Sequence, residues 1–167
     1  DITGGTGKKI TVKGTNNVGV SIAQGTSSGD PLSKVTGLNI LVGGTGNVGF
    51  LRNSQGNNTN SNDMVLNNTT TGTLDFSSDA TESALIRSDK NGIKLDRDLT
   101  IGTAGTKNTL LQAGKTGTVT LASGKTVTST SSNEFFGMTA GDFASSSGAT
   151  IVNNGTLSIG GNKSLGM

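Results

Sequence analysis

Short runs in which two apolar residues flank a small or polar one recur along the chain. Each is followed by a Gly-containing turn and then by an apolar–Gly–apolar triplet. The clearest is Ile40 to Phe50, ILVGGTGNVGF; Ile10 to Val20 reads ITVKGTNNVGV and Leu157 to Met167 reads LSIGGNKSLGM. Alternation at period two marks a strand with one buried face, and Gly and Asn between the runs supply turn chemistry, so each phrase predicts strand, turn, strand. The first two copies start 30 positions apart (40 − 10), and degenerate copies such as Thr71 to Phe76, TGTLDF, fill the gap up to the third. Self-similarity of this kind predicts an all-β stack of repeats, a parallel β-helix or β-solenoid over residues 1–167, in place of a closed core.

The apolar pairs Leu99 with Ile101, Val119 with Leu121, and Leu157 with Ile159 are spaced by 20 (119 − 99) and 38 (157 − 119). That predicts a rung near 20 residues and about seven rungs, a rod roughly 33 Å long. Two decorations are expected. Residues 53–63, NSQGNNTNSND, contain no apolar residue and predict a projecting loop, the first candidate contact surface. Residues 77–94 form the most charged passage and include Asn91-Gly92, a hairpin signal, so a decorated hairpin is expected there. Phe135, Phe136, Met138 and Phe143 supply the heaviest packing near the C-terminal end. With no polar capping helix in view and Asp1 as the first residue, the chain is expected to be a segment of a longer stalk, its own β-helix continuing at both ends.

Composition fits thin β-layers. Hydrophobic residues are 30% and aromatics 3%, against roughly 45–50% apolar in ordinary domains. One Pro, 14% charged residues and a net charge of +2 are not the signature of a disordered chain. Absence of His and Cys removes thiolate nucleophiles, Cys/His zinc sites and imidazole-based triads. Lys8, Lys9 and Lys13 are the only local basic cluster, read as a solvated strand edge, so no nucleic-acid partner is expected. No run of about 18 apolar residues occurs, and no membrane contact is expected within this segment.

Several motifs invite a chemistry. Gly44, Gly46 and Gly49 spell GxGxxG after an apolar run, but Phe50 and Leu51 lead into RNSQGNNTNSND, which cannot supply the helix a pyrophosphate needs. Gly114-Lys115-Thr116 and Gly124-Lys125-Thr126 lack the leading Gly of a phosphate loop, since Thr109 and Val119 stand there. Asp89, Asn91, Asp96 and Asp98 fail the EF-hand pattern at Ile93 and Thr100. A β-helical carbohydrate-active enzyme, a polysaccharide lyase or hydrolase, is the alternative reading; it needs converging carboxylates, for which Asp75, Asp96 and Asp98 are the contributors. The array Thr126-Val127-Thr128-Ser129-Thr130 suggests an ice-binding solenoid, but no in-register recurrence is visible in the sequence. No catalytic, cofactor-binding or metal residue is singled out, and no cofactor is expected.

The phrase Val152 to Met167, VNNGTLSIGGNKSLGM, with EFFGM at Glu134 to Met138 and GNVGFLRN at Gly46 to Asn53, resembles the passenger repeats of large Gram-negative type V autotransporter adhesins, the very long fusobacterial kind above all. The last 40 or so residues carry most of this likeness. The resemblance implies a right-handed parallel β-helical passenger on the cell surface, anchored in the outer membrane through a C-terminal β-barrel absent from this segment. It implies a structural and adhesive role, with host-cell or bacterial surface receptors, protein or glycan, as partners. No functional residue carries over, because the GM phrase is a structural repeat.

Overall fold

The structure is a computed structural model, and it describes residues 2–22, 35–53, 63–68, 71–102, 105–129, 134–141 and 148–167. Those residues form strands and turns without a helix. The strands are β1 (Ile2–Thr3), β2 (Ile10–Val12), β3 (Val18–Ile22), β4 (Val35–Thr36), β5 (Leu38–Val42), β6 (Val48–Arg52), β7 (Met64–Leu66) and β8 (Thr71–Phe76), followed by β9 (Ala84–Leu95), β10 (Leu99–Ile101), β11 (Thr109–Leu121), β12 (Thr126–Ser129), β13 (Phe136–Ala140), β14 (Thr150–Asn153) and β15 (Thr156–Ile159).

Every ladder between them is parallel and joins strands from successive coils, which makes the molecule a parallel β-solenoid of about four turns. One face is built from β2, β5 and β8, then from β10, β12 and β15. A second runs β3, β6, the first half of β9, the first half of β11, and β13; the third runs β7, the second halves of β9 and β11, and β14. At one strand spacing per coil the stack rises about 19 Å.

Two expectations need correction. The repeat is not near 20 residues: Ile10 pairs with Ile40, 30 positions on, and Leu99 pairs with Val127, 28 positions on (127 − 99). Leu99 and Val119 belong to different faces of the same coil, because Val119 pairs with Ile93 and Ile151. Residues 77–94 hold no hairpin. Ala84–Leu95 is one long strand paired in parallel with β6, β7 and β11, and Asn91, at φ 63°, bends that strand without reversing it. The hairpin signal failed because a left-handed Asn followed by Gly also serves a corner between two faces of a coil.

Inside, each face sends in one or two columns of apolar side chains. Val20, Phe50, Ile86, Leu111 and Met138 stack through β3, β6, β9, β11 and β13, and all five are buried. Each fully buried member contributes about 1.5–3 kcal/mol, so a narrow core needs few apolar residues per coil.

The phrase Ile40 to Phe50 is the corner between the first two faces. Its backbone recurs coil after coil: Asn16, Gly46, Glu82, Lys107, Glu134 and Lys163 all have φ between 51° and 67°. Beside them Thr15, Thr45, Thr81 and Thr106 form a ladder of single parallel bridges. The next residue inward makes a polar ladder. Asn17 N–H donates to Asn47 Oδ1 (2.6 Å), Asn47 N–H to Ser83 Oγ (3.0 Å), and Ser83 N–H to Asn108 Oδ1 (2.8 Å). Asn108 Nδ2 donates in turn to the Ala80 carbonyl (2.9 Å). These side chains satisfy amides that point along the stack where the strands are interrupted. Phe135 then takes the ladder position and packs edge-to-face on Phe76, ring centres 6.2 Å apart.

Candidate functional site

Of the expected loop 53–63, residues 54–62 lie outside the described residues, as does Phe143; the two ends of the loop are described. Asn53 N–H donates to the Ile22 carbonyl (2.9 Å), which ties one end to the coil below. Arg52, just before it, follows Phe50 onto the inward face and is 1% exposed. Its guanidinium donates to the Gly92 carbonyl. Asp63 lies over the same glycine, so close that a Cβ on Gly92 would fall 1.6 Å from Oδ1. Burial pushes Arg52 down to about 10, with the Asp63 charge opposing that shift. A buried arginine therefore sits under the base of this insertion. Arg52 belongs to no motif that carries a chemistry; its burial follows from parity, since a strand that buries Phe50 also turns Arg52 inward.

Where β9 and β11 bend, a charged cluster covers the corner. Arg87 Nε meets Asp89 Oδ1 at 2.6 Å, Lys115 Nζ stands 3.6 Å from Asp89 Oδ2, and Arg87 Nη1 donates to Gln112 Oε1 (3.4 Å). The register shifts here, with Ala113 opposite Ser88 and Thr116 opposite Lys90, so β11 carries one extra residue. Gly114 permits the approach of Arg87 and Asp89, whose atoms lie 2.5–3.1 Å from where its Cβ would stand. The triplet Gly114-Lys115-Thr116 is thus a bulge that supplies an ion-pair partner.

The three carboxylates weighed for glycan chemistry are distributed as follows. Asp75 faces outward on β8 and accepts from the Phe76 amide (2.9 Å). Asp98, at the start of β10, accepts from the Thr126 amide of the next coil (2.7 Å). Asp96 pairs with Lys125 (3.8 Å) at the corner between the third and first faces. Arg97 lies between the two and donates to Thr71 Oγ1 (3.1 Å) and the Gly72 carbonyl (2.6 Å), so it clips β10 to the coil below where β8 and β10 share no ladder. Burial lowers its pKa and Asp98 opposes this. Asp96 and Asp98 thus hold neighbouring coils together. Among the described residues no group of three acidic side chains is placed to hold a metal ion.

The Thr-x-Thr pattern of Thr126 and Thr128 does not recur intact in the neighbouring coils, where Thr156-x-Ser158 and Asp98-x-Thr100 stand. Thr126 and Thr128 pair with Thr156 and Ser158 on one side, and Thr128 pairs with Thr100 on the other. Gly44, Gly46 and Gly49 lie in a corner that runs into strand β6, with no helix to receive a phosphate.

Insertions concentrate on one side of the stack. From the first face to the second the chain takes 8 residues (48 − 40) in one coil and 10 (84 − 74) in the next. The return path is uneven: 22 (40 − 18), 26 (74 − 48), 15 (99 − 84), 18 (127 − 109) and 21 (157 − 136) residues in successive coils. Comparison with protein families, with characterised proteins and with solved structures yields no match.

Proposed function

We propose that the chain is a structural and adhesive element of a surface-displayed autotransporter passenger, a length of stalk that carries contact segments and mediates attachment to host cells or other bacteria. In this reading the coils continue at both ends in the longer polypeptide, and an outer-membrane β-barrel beyond the segment anchors it. The observation that carries the reading is the uneven return path. One corner is held nearly constant while the opposite side takes 15 to 26 residues, and in solenoids such insertions map to one side, often the binding side. The polar residues 53–63 belong to the longest of these returns, and Arg52 at its base donates to the Gly92 carbonyl of the next coil.

The test is to display the chain on a non-adherent bacterial surface and count adherent cells on epithelial monolayers and on partner bacteria. Replacement of residues 54–62 by a short Gly/Ser link should abolish adherence while surface display, read by antibody, is unchanged. Adherence equal to that of the empty display vector would sink the proposal; retention after the replacement would move the contact to another return path.

A further inference from the structure

The net charge of +2 conceals an uneven distribution. Strands β9 and β11 lie side by side across the bend between the second and third faces, in the middle of the stack. Together they carry Arg87, Lys90, Lys94 and Lys115 against Asp89 alone, a balance of +3 (4 − 1), so the rest of the chain nets −1 (2 − 3). Buried Arg52 and exposed Asp63, both at Gly92, offset each other there. Ile86, Ile93 and Leu95 are buried, so parity turns Arg87 and Lys94 outward, and the extra residue of the β11 bulge leaves the Lys115 side chain 52% exposed. Asp89 lies 2.6 Å from Arg87 Nε and 3.6 Å from Lys115 Nζ. One carboxylate thus fixes two cations in place and leaves positive charge in surplus.

The same surface offers neutral hydrogen-bonding groups. Gln112 accepts from Arg87 Nη1 through Oε1 (3.4 Å), and its Nε2 has no acceptor among the described residues. Past the bend Thr116, Thr118 and Thr120 stand in register with Lys90, Gly92 and Lys94, so hydroxyl and ammonium groups sit beside each other one strand spacing apart. Neither strand holds an aromatic residue, which removes the base stacking that supports single-stranded nucleic-acid binding. Cations interleaved with hydroxyl and amide groups match a polymer whose anionic groups alternate with hydroxyls. We propose that the outer surface of β9 and β11 binds an acidic glycan, a polysaccharide bearing sulfate or carboxylate groups. Lys90, Lys94 and Lys115 hold the anionic groups, while Gln112 Nε2 and the threonine hydroxyls meet the sugar oxygens. The assignment rests on the adhesive reading for its biological setting and deepens it by naming a class of partner, with the contact on the coils themselves and outside residues 54–62.

Isothermal titration calorimetry of the 167-residue chain with heparin and with hyaluronan tests it, the first carrying sulfate and carboxylate groups and the second carboxylate alone. At least one should bind at low salt and weaken as salt rises, because exposed charge contacts are screened. Lys90→Gln combined with Lys94→Gln should weaken binding about tenfold, and Lys115→Gln about threefold. Gln112→Leu should lose about threefold with an unchanged salt dependence, as befits a neutral hydrogen bond. Lys8→Gln combined with Lys9→Gln removes the same charge from the exposed stretch before β2 and should leave the affinity within about twofold of the parent. Far-UV circular dichroism of every variant should match the parent. Failure of both glycans to bind at low salt overturns the proposal, as does an equal loss in the Lys8 and Lys9 variant, or equally tight binding of single-stranded DNA. The two readings fail separately: glycan binding without adherence sinks the adhesive role alone, and adherence without glycan binding sinks this site alone.

Discussion

Replacing Asn108 by Ala isolates what the corner ladder contributes. Asn108 is fully buried, its Oδ1 accepts from the Ser83 amide at 2.8 Å, and its Nδ2 donates to the Ala80 carbonyl at 2.9 Å. The two losses are unequal. Ala80 O keeps a second donor, the Thr106 amide at 2.9 Å, so its loss is minor. The truncated side chain offers the Ser83 amide no acceptor, so that amide is left buried and unpaired, at a cost of about 1–3 kcal/mol. The void left by the truncated side chain adds to this, for a total of about 3 kcal/mol. For a chain of this length that is a fall in melting temperature of roughly 6–12 °C. Urea melts followed by far-UV circular dichroism give the free energy, and amide hydrogen exchange at Ser83 reports the site. Asn108→Ser is the internal control, because serine already serves this position at Ser83 and Ser164; it should recover about half the loss. If Asn108→Ala melts within 2 °C of the parent and the Ser83 amide keeps its protection, the ladder does not carry the corner and the reasoning fails.

Gly44→Ala and Gly124→Ala separate crowding from backbone strain. Both have φ near 70°, but a Cβ on Gly44 would stand 2.2 Å from the Gly14 carbonyl oxygen, whereas Gly124 has open space. Gly124→Ala should cost about 1 kcal/mol from the left-handed backbone alone, and Gly44→Ala at least twice that; equal costs in urea melts would remove the crowding. Arg52→Met tests a buried charge. Below pH 10 folded and unfolded chains both hold the guanidinium proton, and the fold bears the full desolvation cost. Above pH 10 the unfolded chain binds more protons, so the parent gains stability with rising pH. The variant should therefore match or exceed the parent by about 1 kcal/mol at pH 7, and lose ground to it between pH 10 and 11.5; a pH-independent difference would refute the assignment. Glu134→Gln breaks the pair with Lys163 (3.7 Å), whose side chain is 80% exposed, and should change stability by less than about 0.5 kcal/mol.

The parallel solenoid was legible because its corner leaves marks. A left-handed residue followed by an inward polar one and a strand demands Gly or Asn, and Gly14 to Asn17 and Gly44 to Asn47 show this openly. The mark fades where other chemistry meets the same demand. At Glu82 and Lys107 the left-handed position holds charged residues paired across successive coils at 3.9 Å, and the corner lengthens from 8 residues to 10. Those copies do not resemble the phrase, and Leu99 and Val119, on different faces, look like successive copies because every face of a solenoid buries the same kind of pair. Period-two alternation states that a strand is half buried; it carries no label for which face of the coil the strand occupies. The contacts of Arg52 and Lys115 were illegible for a related reason: their partners, Gly92 and Asp89, lie one coil away, at separations fixed by insertions of variable length.

The constant corner and the variable return also explain each other. Stacking is specified where successive coils repeat the same short path, through the threonine bridges from Thr15 to Thr106 and the ladder from Asn17 to Asn108. Once register is fixed there, the return has only to bring back two short strands. The cost of a longer loop grows slowly, about 0.6 kcal/mol for each doubling of length, so 26 residues are nearly as affordable as 15. Insertions therefore collect opposite the ladder without disturbing it, and a polar segment such as residues 54–62 can change its sequence while the coils stay in place. Exchange of that segment for an unrelated polar sequence of equal length should leave the melting temperature within about 2 °C of the parent; a large loss would show that the insertion helps to hold the stack.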